Sequence, residues 1–180
     1  MIDKIPIAIS ACLLGHKVRY DARAKKHQAI VDVLLHRYAH KVDIIPFCPE
    51  MAIGLGVPRD KIQLVKFKNG QIRLLGVHNH TLDVTDELKS YANQFLAHYA
   101  SIKHFIVKAK SPSCGYRSSP LFIEQSHFGQ AGNAIMQQHH ELGAGLFVRT
   151  ITMLKPELIV IEESELDSEQ ACVQFLQDLI

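Results

Sequence analysis

No stretch of the chain is concentrated in lysine and arginine, and the formal net charge is only +2 over 180 residues. A nucleic-acid groove needs a basic stripe to neutralise phosphates, so none is predicted. No apolar run approaches the length of a membrane span. The first residues, Met-Ile-Asp-Lys-Ile-Pro-Ile, show neither a basic leader with a long apolar core nor a cleavage signature. The expectation is a cytoplasmic protein with no membrane association. Cysteine is scarce, four in all, and no two stand at CxxC-type spacing. In a reducing compartment four thiols are a poor disulfide framework, and metal or catalytic use becomes the better reading. Internal repeats, linkers and low-complexity segments are lacking too. Residues 1–180 are therefore read as a single domain, long enough to bury a sizeable core without staples.

What is present reads as an ordinary globular chain, 47% apolar and 21% charged. Residues 5–10 form a short β-branched run, read as a buried strand that ends just before Cys12. Ile30, Val33, Leu34 and Tyr38 recur at helical spacing within 27–40. A second strand, 42–47, is interrupted by Pro46 and delivers Cys48-Pro49-Glu50; residues 54–59 read as loop. Runs at 62–67 and 72–77 flank Asn69-Gly70, a hairpin signal because both residues tolerate positive φ. Thr85-Asp86-Glu87 opens a helix carrying Leu88, Tyr91, Ala92, Phe95, Leu96 and Tyr99 on one face. A third strand, Phe105-Ile106-Val107, leads into Lys108-Ala109-Lys110-Ser111-Pro112-Ser113-Cys114-Gly115. From 116 to 142 periodicity fades, which suggests a functional loop or lid. Gly143-Ala144-Gly145 opens a helix through Met153, Pro156 breaks it, and 158–161 make a last strand. A helical tail, 166–180, turns Cys172, Leu176 and Leu179 inward. The fold class is α/β: a three-layer, Rossmann-like arrangement of a mostly parallel sheet with a β-hairpin.

Three of the cysteines, Cys12, Cys48 and Cys114, each fall just past the C-terminal end of a predicted strand. Parallel strands would gather them along one rim of the sheet, where open α/β sheets bind ligands. Three thiolates there could hold zinc, or an iron–sulfur cluster with one iron lacking a protein ligand. Cys114 alone reads either as a loop thiolate or as a buried structural thiol. Cys172, mid-helix on an apolar face, reads as a small core hydrophobe. Glu50 is a candidate acid/base for a metal-activated water, or a helix cap; Ser111 and Ser113 read as polar partners of Cys114, or as turn caps. Arg19 and Asp21 follow Cys12 in the same connection. Arg59 could bind a carboxylate or carbonyl oxygen, or tie down its loop through an ion pair. His36 and His40 on a helix, and His78-Asn79-His80, have metal-compatible spacings but lie away from the rim.

These blocks recur together in a known pattern. Ser10-Ala11-Cys12-Leu13-Leu14-Gly15 with Arg19-Tyr20-Asp21, then Cys48-Pro49-Glu50, Pro58-Arg59, Asp83-Val84-Thr85 and Lys110-Ser111-Pro112-Ser113-Cys114-Gly115 appear in order. The chain resembles the small bacterial domain family that includes thiouracil desulfidases, from Ile5 to about Glu163. The resemblance implies a 4Fe-4S cluster on Cys12, Cys48 and Cys114 with the fourth iron open to the sulfur of a small thiocarbonyl substrate such as 2-thiouracil. It implies non-redox replacement of that sulfur by water, with Glu50 moving the proton and Ser111 and Ser113 beside the third cysteine. Arg19, Asp21 and Arg59 are expected on the substrate side. The chain departs from the family pattern at Ile53-Gly54-Leu55, where Gly-Gly-Leu is usual, and at Asp60-Lys61-Ile62, which replaces a proline-rich segment. Both departures fall on the loop that would shape the pocket. A zinc-thiolate hydrolase and a non-catalytic metal- or nucleobase-binding module are the alternatives.

Overall fold

Alternating side chains along the first strand decide the architecture. In β1 (Ile5–Ser10), Ile7 and Ile9 are fully buried on one face and Ala8 on the other. A strand buried on both faces belongs in the middle of a parallel sheet covered by helices on each side. The computed structural model, which describes residues 4–79, 81–128 and 134–179, has that arrangement. β1 pairs in parallel with β2 (Val42–Phe47) on one side and β5 (His104–Val107) on the other; β8 (Ile159–Glu162) extends the sheet beyond β5, in the order β2-β1-β5-β8. Pro46 lies in β2, at the sheet's edge, where a missing ladder donor is tolerated.

Two helices cover each face. On the Ile7/Ile9 side lie α1 (28–37) and α5 (Glu169–Leu179), packing Ile30, Val33, Leu34, Cys172 and Leu176 against the sheet. α1 begins as an α turn, Gln28–Ile30, and continues as a π-helical segment, Val31–Arg37. It stops three residues short of the expected end: Tyr38 N–H makes the last bond back, to Val33 O, and the chain then turns, Lys41 N–H bonding to Tyr38 O. Facing Ala8 are α3 (Thr85–His98) and α4 (Leu146–Leu154). Phe95 of α3 and Phe147 of α4 meet Phe47 at ring-centroid distances of 5.6 and 5.2 Å, an aromatic brace beneath the rim. The result is the three-layer α/β fold expected from the sequence. No helix among the described residues is long and apolar enough to cross a membrane.

The hairpin forms as expected from β3 (Ile62–Lys66) and β4 (Ile72–Gly76), but in its turn only Gly70, at φ +84°, and not Asn69 takes a positive φ. It does not stand alone. The segment read as a loop or lid is instead a second hairpin, β6 (Ser119–Phe128) and β7 (Ala134–Gly143), and β6 pairs in parallel with β3. Together they make a second sheet ordered β4-β3-β6-β7. The polar composition of 116–142 hid these strands, since β3, the strand on which β6 and its hairpin partner β7 are built, lies more than fifty residues upstream of β6 and local periodicity carries no trace of it. Residues 129–133, with Gly129 and Gly132 of the expected loop, lie outside the described residues.

The chain leaves β1 towards β2 on one side, and later returns to β5 on the other. The crevice above β1 and β5 is thus the point where the direction of winding reverses, and ligand sites of open α/β sheets lie there.

Candidate active site

Cys12, Cys48 and Cys114 all reach that crevice, each by a different local device. A 3-10 turn, Ala11–Leu14, follows β1 directly and carries Cys12, 8% exposed. Gly15 ends the turn at φ +99°, and the returning chain bonds Lys25 N–H to Cys12 O. Cys48 precedes the short helix α2 (Pro49–Ala52), with Pro49 at its first position, where proline's fixed φ suits a helix start. Cys114 sits in the loop after β5. The three thiols line one cavity of about 320 Å³ together with Arg19, Glu50, Arg59, Lys108 and Ser111.

The Cys114 loop is held by two consecutive carboxylates at the end of β8. Glu162 Oε1 accepts from Tyr116, Arg117 and Ser118 backbone N–H groups at 2.8, 3.2 and 3.3 Å and from the Ser118 hydroxyl at 2.7 Å. Burial alone would push its carboxyl up; those donors outweigh it and hold Glu162 below the usual range. Glu163 pairs with Lys108 and accepts from Ala109 N–H at 2.5 Å. From the other side, α4 donates its first free N–H groups into the loop: Leu146 to Pro112 O and Phe147 to Ser113 O, both at 2.9 Å. The approach is close enough that a Cβ on Gly145 would lie 2.6 Å from Ser113 backbone atoms. Loop and helix interlock.

Glu50 is held on both oxygens. Arg59 donates Nε–H to its Oε2 at 2.8 Å and pairs through Nη2 at 2.7 Å, and Ser113 donates to Oε1 at 2.7 Å. The remaining Arg59 donors go to Val18 O, Gly56 O and Met51 Sδ. Every guanidinium N–H is engaged, so Arg59 lines the cavity as the anchor of Glu50, the second of the two readings its position allowed. Ser113 is fully buried beneath the cavity, whereas Ser111 lines it. Arg19 reaches the cavity; Asp21 is not among its lining residues and stands 3.8 Å from Arg19 Nε.

Proximity of the thiols is written in their acidities. Burial, then the neighbouring Cys114 and Cys48 thiols, push Cys12 up to about 12, against the opposing pull of Arg19 and Lys108. Burial also pushes Cys48 up to about 11, with Cys114 and Glu50 adding to it. Cys114 is raised by burial, opposed by the Ser10 and Ser111 hydroxyls. Three thiols, two of them buried and Cys48 half-buried, that repel one another's anionic forms need a cation among them to ionise. Among the described residues, however, no three His, Cys, Asp or Glu side chains are grouped so that a single metal ion could be held. Three soft thiols around one shared cavity fit a sulfur-seeking metal group.

The other candidates fall elsewhere. Cys172 is fully buried against α1. His36 and His40 belong to the α1 end of the chain, and His78 Nδ1 pairs with Asp60 at 2.6 Å. His80 lies outside the described residues. Sequence reasoning missed Ser10, Lys108, Glu162 and Glu163. All four stand at or just beyond the C-terminal ends of β1, β5 and β8, so the rule that found the cysteines reaches them too.

Comparison with known proteins follows the same lines. The model of a family described as 2-thiouracil desulfurase matches residues 7–163. Among solved structures, a 4Fe-4S-dependent thiouracil desulfidase, TudS, is similar at 26% identity and a TM-score of 0.59, covering 96% of this chain and 99% of that chain. No curated protein sequence matches the chain.

Proposed function

This chain belongs to the 2-thiouracil desulfurase family, and on that premise we propose that it is a cytoplasmic enzyme desulfurating a thiolated pyrimidine such as 2-thiouracil without net redox change. The observation that carries this reading is the shared cavity: three thiols and one anchored carboxylate open onto the same space at the switch point of the sheet. Cys12, Cys48 and Cys114 would hold a 4Fe-4S cluster, which supplies an iron without a protein ligand as a soft Lewis acid for the thiocarbonyl sulfur. The similar solved enzyme is described as 4Fe-4S-dependent, in keeping with this donor set.

The chain's own residues do the rest. Water replaces sulfur at the ring carbon, so that the thiocarbonyl and water become a carbonyl and hydrogen sulfide. Glu50, fixed by Arg59 and Ser113, takes the proton from the attacking water and returns one to the departing sulfur. Ser111 stands at the cavity wall with its hydroxyl 3.3 Å from Cys114 Sγ, and Arg19, aligned by Asp21, faces the substrate side. A lone zinc on the same thiols would require sulfurs within reach of one ion, about 2.3 Å from it each. Iron and zinc content of the purified protein separates the two.

Anaerobic purification tests the assignment. Brown protein with iron and acid-labile sulfide in equal amounts, releasing sulfide and uracil from 2-thiouracil, is the expected result. Glu50→Ala should lower the rate by about 10²–10⁴-fold, the usual worth of a positioned acid/base. Colourless protein with stoichiometric zinc, or a fully loaded wild type that releases no sulfide, overturns the assignment.

A further inference from the structure

Ser10, the last residue of β1, is 2% exposed and has a hydroxyl placed between two elements of the site. Its Oγ accepts from Lys108 backbone N–H at 3.1 Å and lies 3.4 Å from Cys114 Sγ. With the N–H taken as its incoming bond, the hydroxyl proton is directed to the sulfur. Ser111 Oγ stands 3.3 Å from the same sulfur while accepting from Ser113 and Cys114 N–H groups at 3.3 and 3.2 Å. A hydroxyl has one proton to give and two lone pairs. Both lone pairs of Ser111 are filled, so its proton too turns to Cys114 once that residue is a thiolate. At Cys48 the sulfur's partners are backbone groups instead: it accepts from the Met51 N–H and lies 3.9 Å from Val18 O.

We infer that Ser10 is a positioning residue for the cluster, its buried hydroxyl acting with that of Ser111 to draw charge from the Cys114 thiolate. This rests on the iron–sulfur reading above. Hydrogen bonds to a cysteinyl sulfur are among the levers that set the potential of an iron–sulfur centre. Less charge donated by one thiolate leaves the iron more electron-poor, and so a stronger acceptor for the sulfur of a substrate. Ser10 also bridges β1 to the chain after β5 through Lys108 N–H.

The test compares wild type, Ser10→Ala and Ser10→Thr, each loaded with iron and sulfide without oxygen. Ser10→Ala should retain the wild-type iron content with a cluster reduced only at more negative potential, and Ser10→Thr, which keeps the hydroxyl, should stay near wild type. Equal potentials for all three at equal iron content overturn the inference. Should Ser10→Ala fail to load, resonance Raman spectra of the wild type in ordinary and heavy water decide: a deuterium shift of the iron–cysteine stretching bands supports the hydroxyl bonds, and its absence overturns them. A wild type that binds no iron is a separate outcome, and removes the iron–sulfur reading itself.

Discussion

Ser113 donates its hydroxyl proton to Glu50 Oε1 at 2.7 Å although 63 residues separate them in the chain. With Arg59 on the other oxygen, the carboxylate that faces the three thiols is held from two independent loops. The pair fixes the Glu50 carboxylate where it lines the cavity of the three thiols.

Arg59→Met should destabilise the protein by about 3–5 kcal/mol, since it removes the cation from a mostly buried carboxylate, which keeps only Ser113, and the guanidinium donors from Val18 O and Gly56 O. Arg59→Lys should recover only part of that, because one ammonium cannot repeat the fork. Urea midpoints of the metal-free proteins measure both. A Met variant as stable as wild type would mean that the ion pair is dispensable.

Gly145→Ala places a methyl group 2.6 Å from Ser113 backbone atoms and 2.8 Å from Ser111 O. Backbone on both sides has no rotamer through which to retreat, so a cost of about 1–3 kcal/mol follows, with displacement of the Cys114 loop. A lower melting temperature accompanied by reduced iron uptake is the expected pattern.

Glu162 contributes a pH-dependent share of stability. Its folded carboxyl titrates below the ordinary value of 4.5, so the stabilisation is complete above that value and is lost as pH falls through the depressed one. Glu162→Gln should therefore cost about 1.5–3 kcal/mol near neutral pH, where a charged acceptor is replaced by a neutral one. The gap from wild type should narrow below pH 4.5. A gap that stays constant from neutral pH into the acid range contradicts the assignment.

The metal-free thiols behave in the opposite sense. Cys12 and Cys48 titrate at about 12 and about 11 rather than the ordinary 9.0. Their neutral forms favour the folded chain below pH 9, and this contribution drains away as pH rises from 9 through 11 and 12. Iodoacetamide at about pH 8 should label the folded, metal-free protein more slowly than the urea-unfolded chain, where the thiols are free to ionise. Equal rates would place the thiols in solvent rather than in the cavity.

Cys172→Ala should leave iron content unchanged, because that thiol is packed between α5 and α1, on the opposite face of the sheet from Phe147. Loss of iron in this variant would bring a fourth cysteine into the site.

Much of the parallel sheet could be read from the chain. Ile5–Ser10, Val42–Phe47 and the run ending at Val107 are short apolar strands of a covered sheet, and such runs keep their character whatever surrounds them. The same reading located the three cysteines, because the end of a buried strand is marked by the residues that follow it. It failed at β6 and β7, where β6 pairs with the distant β3 and β7 in turn pairs with β6. It also left Arg59 with two roles. Choosing between substrate and Glu50 required knowing that Val18 O, Gly56 O and Glu50 surround one guanidinium, and those positions are 41, 3 and 9 residues away from it.

Sequence by itself determined the α/β class, the strand ends that carry Cys12, Cys48 and Cys114, and the family blocks around them, since hydrophobic periodicity and turn residues act over a few positions. Tertiary structure alone decided that Glu162 and Glu163 clamp the Cys114 loop, that Ser113 and Arg59 share Glu50, and that Ser10 meets the Cys114 sulfur. The physical reason is one of range. A backbone preference is settled by neighbours in the chain, whereas a hydrogen bond between side chains depends on the meeting of strands that only the assembled sheet brings side by side.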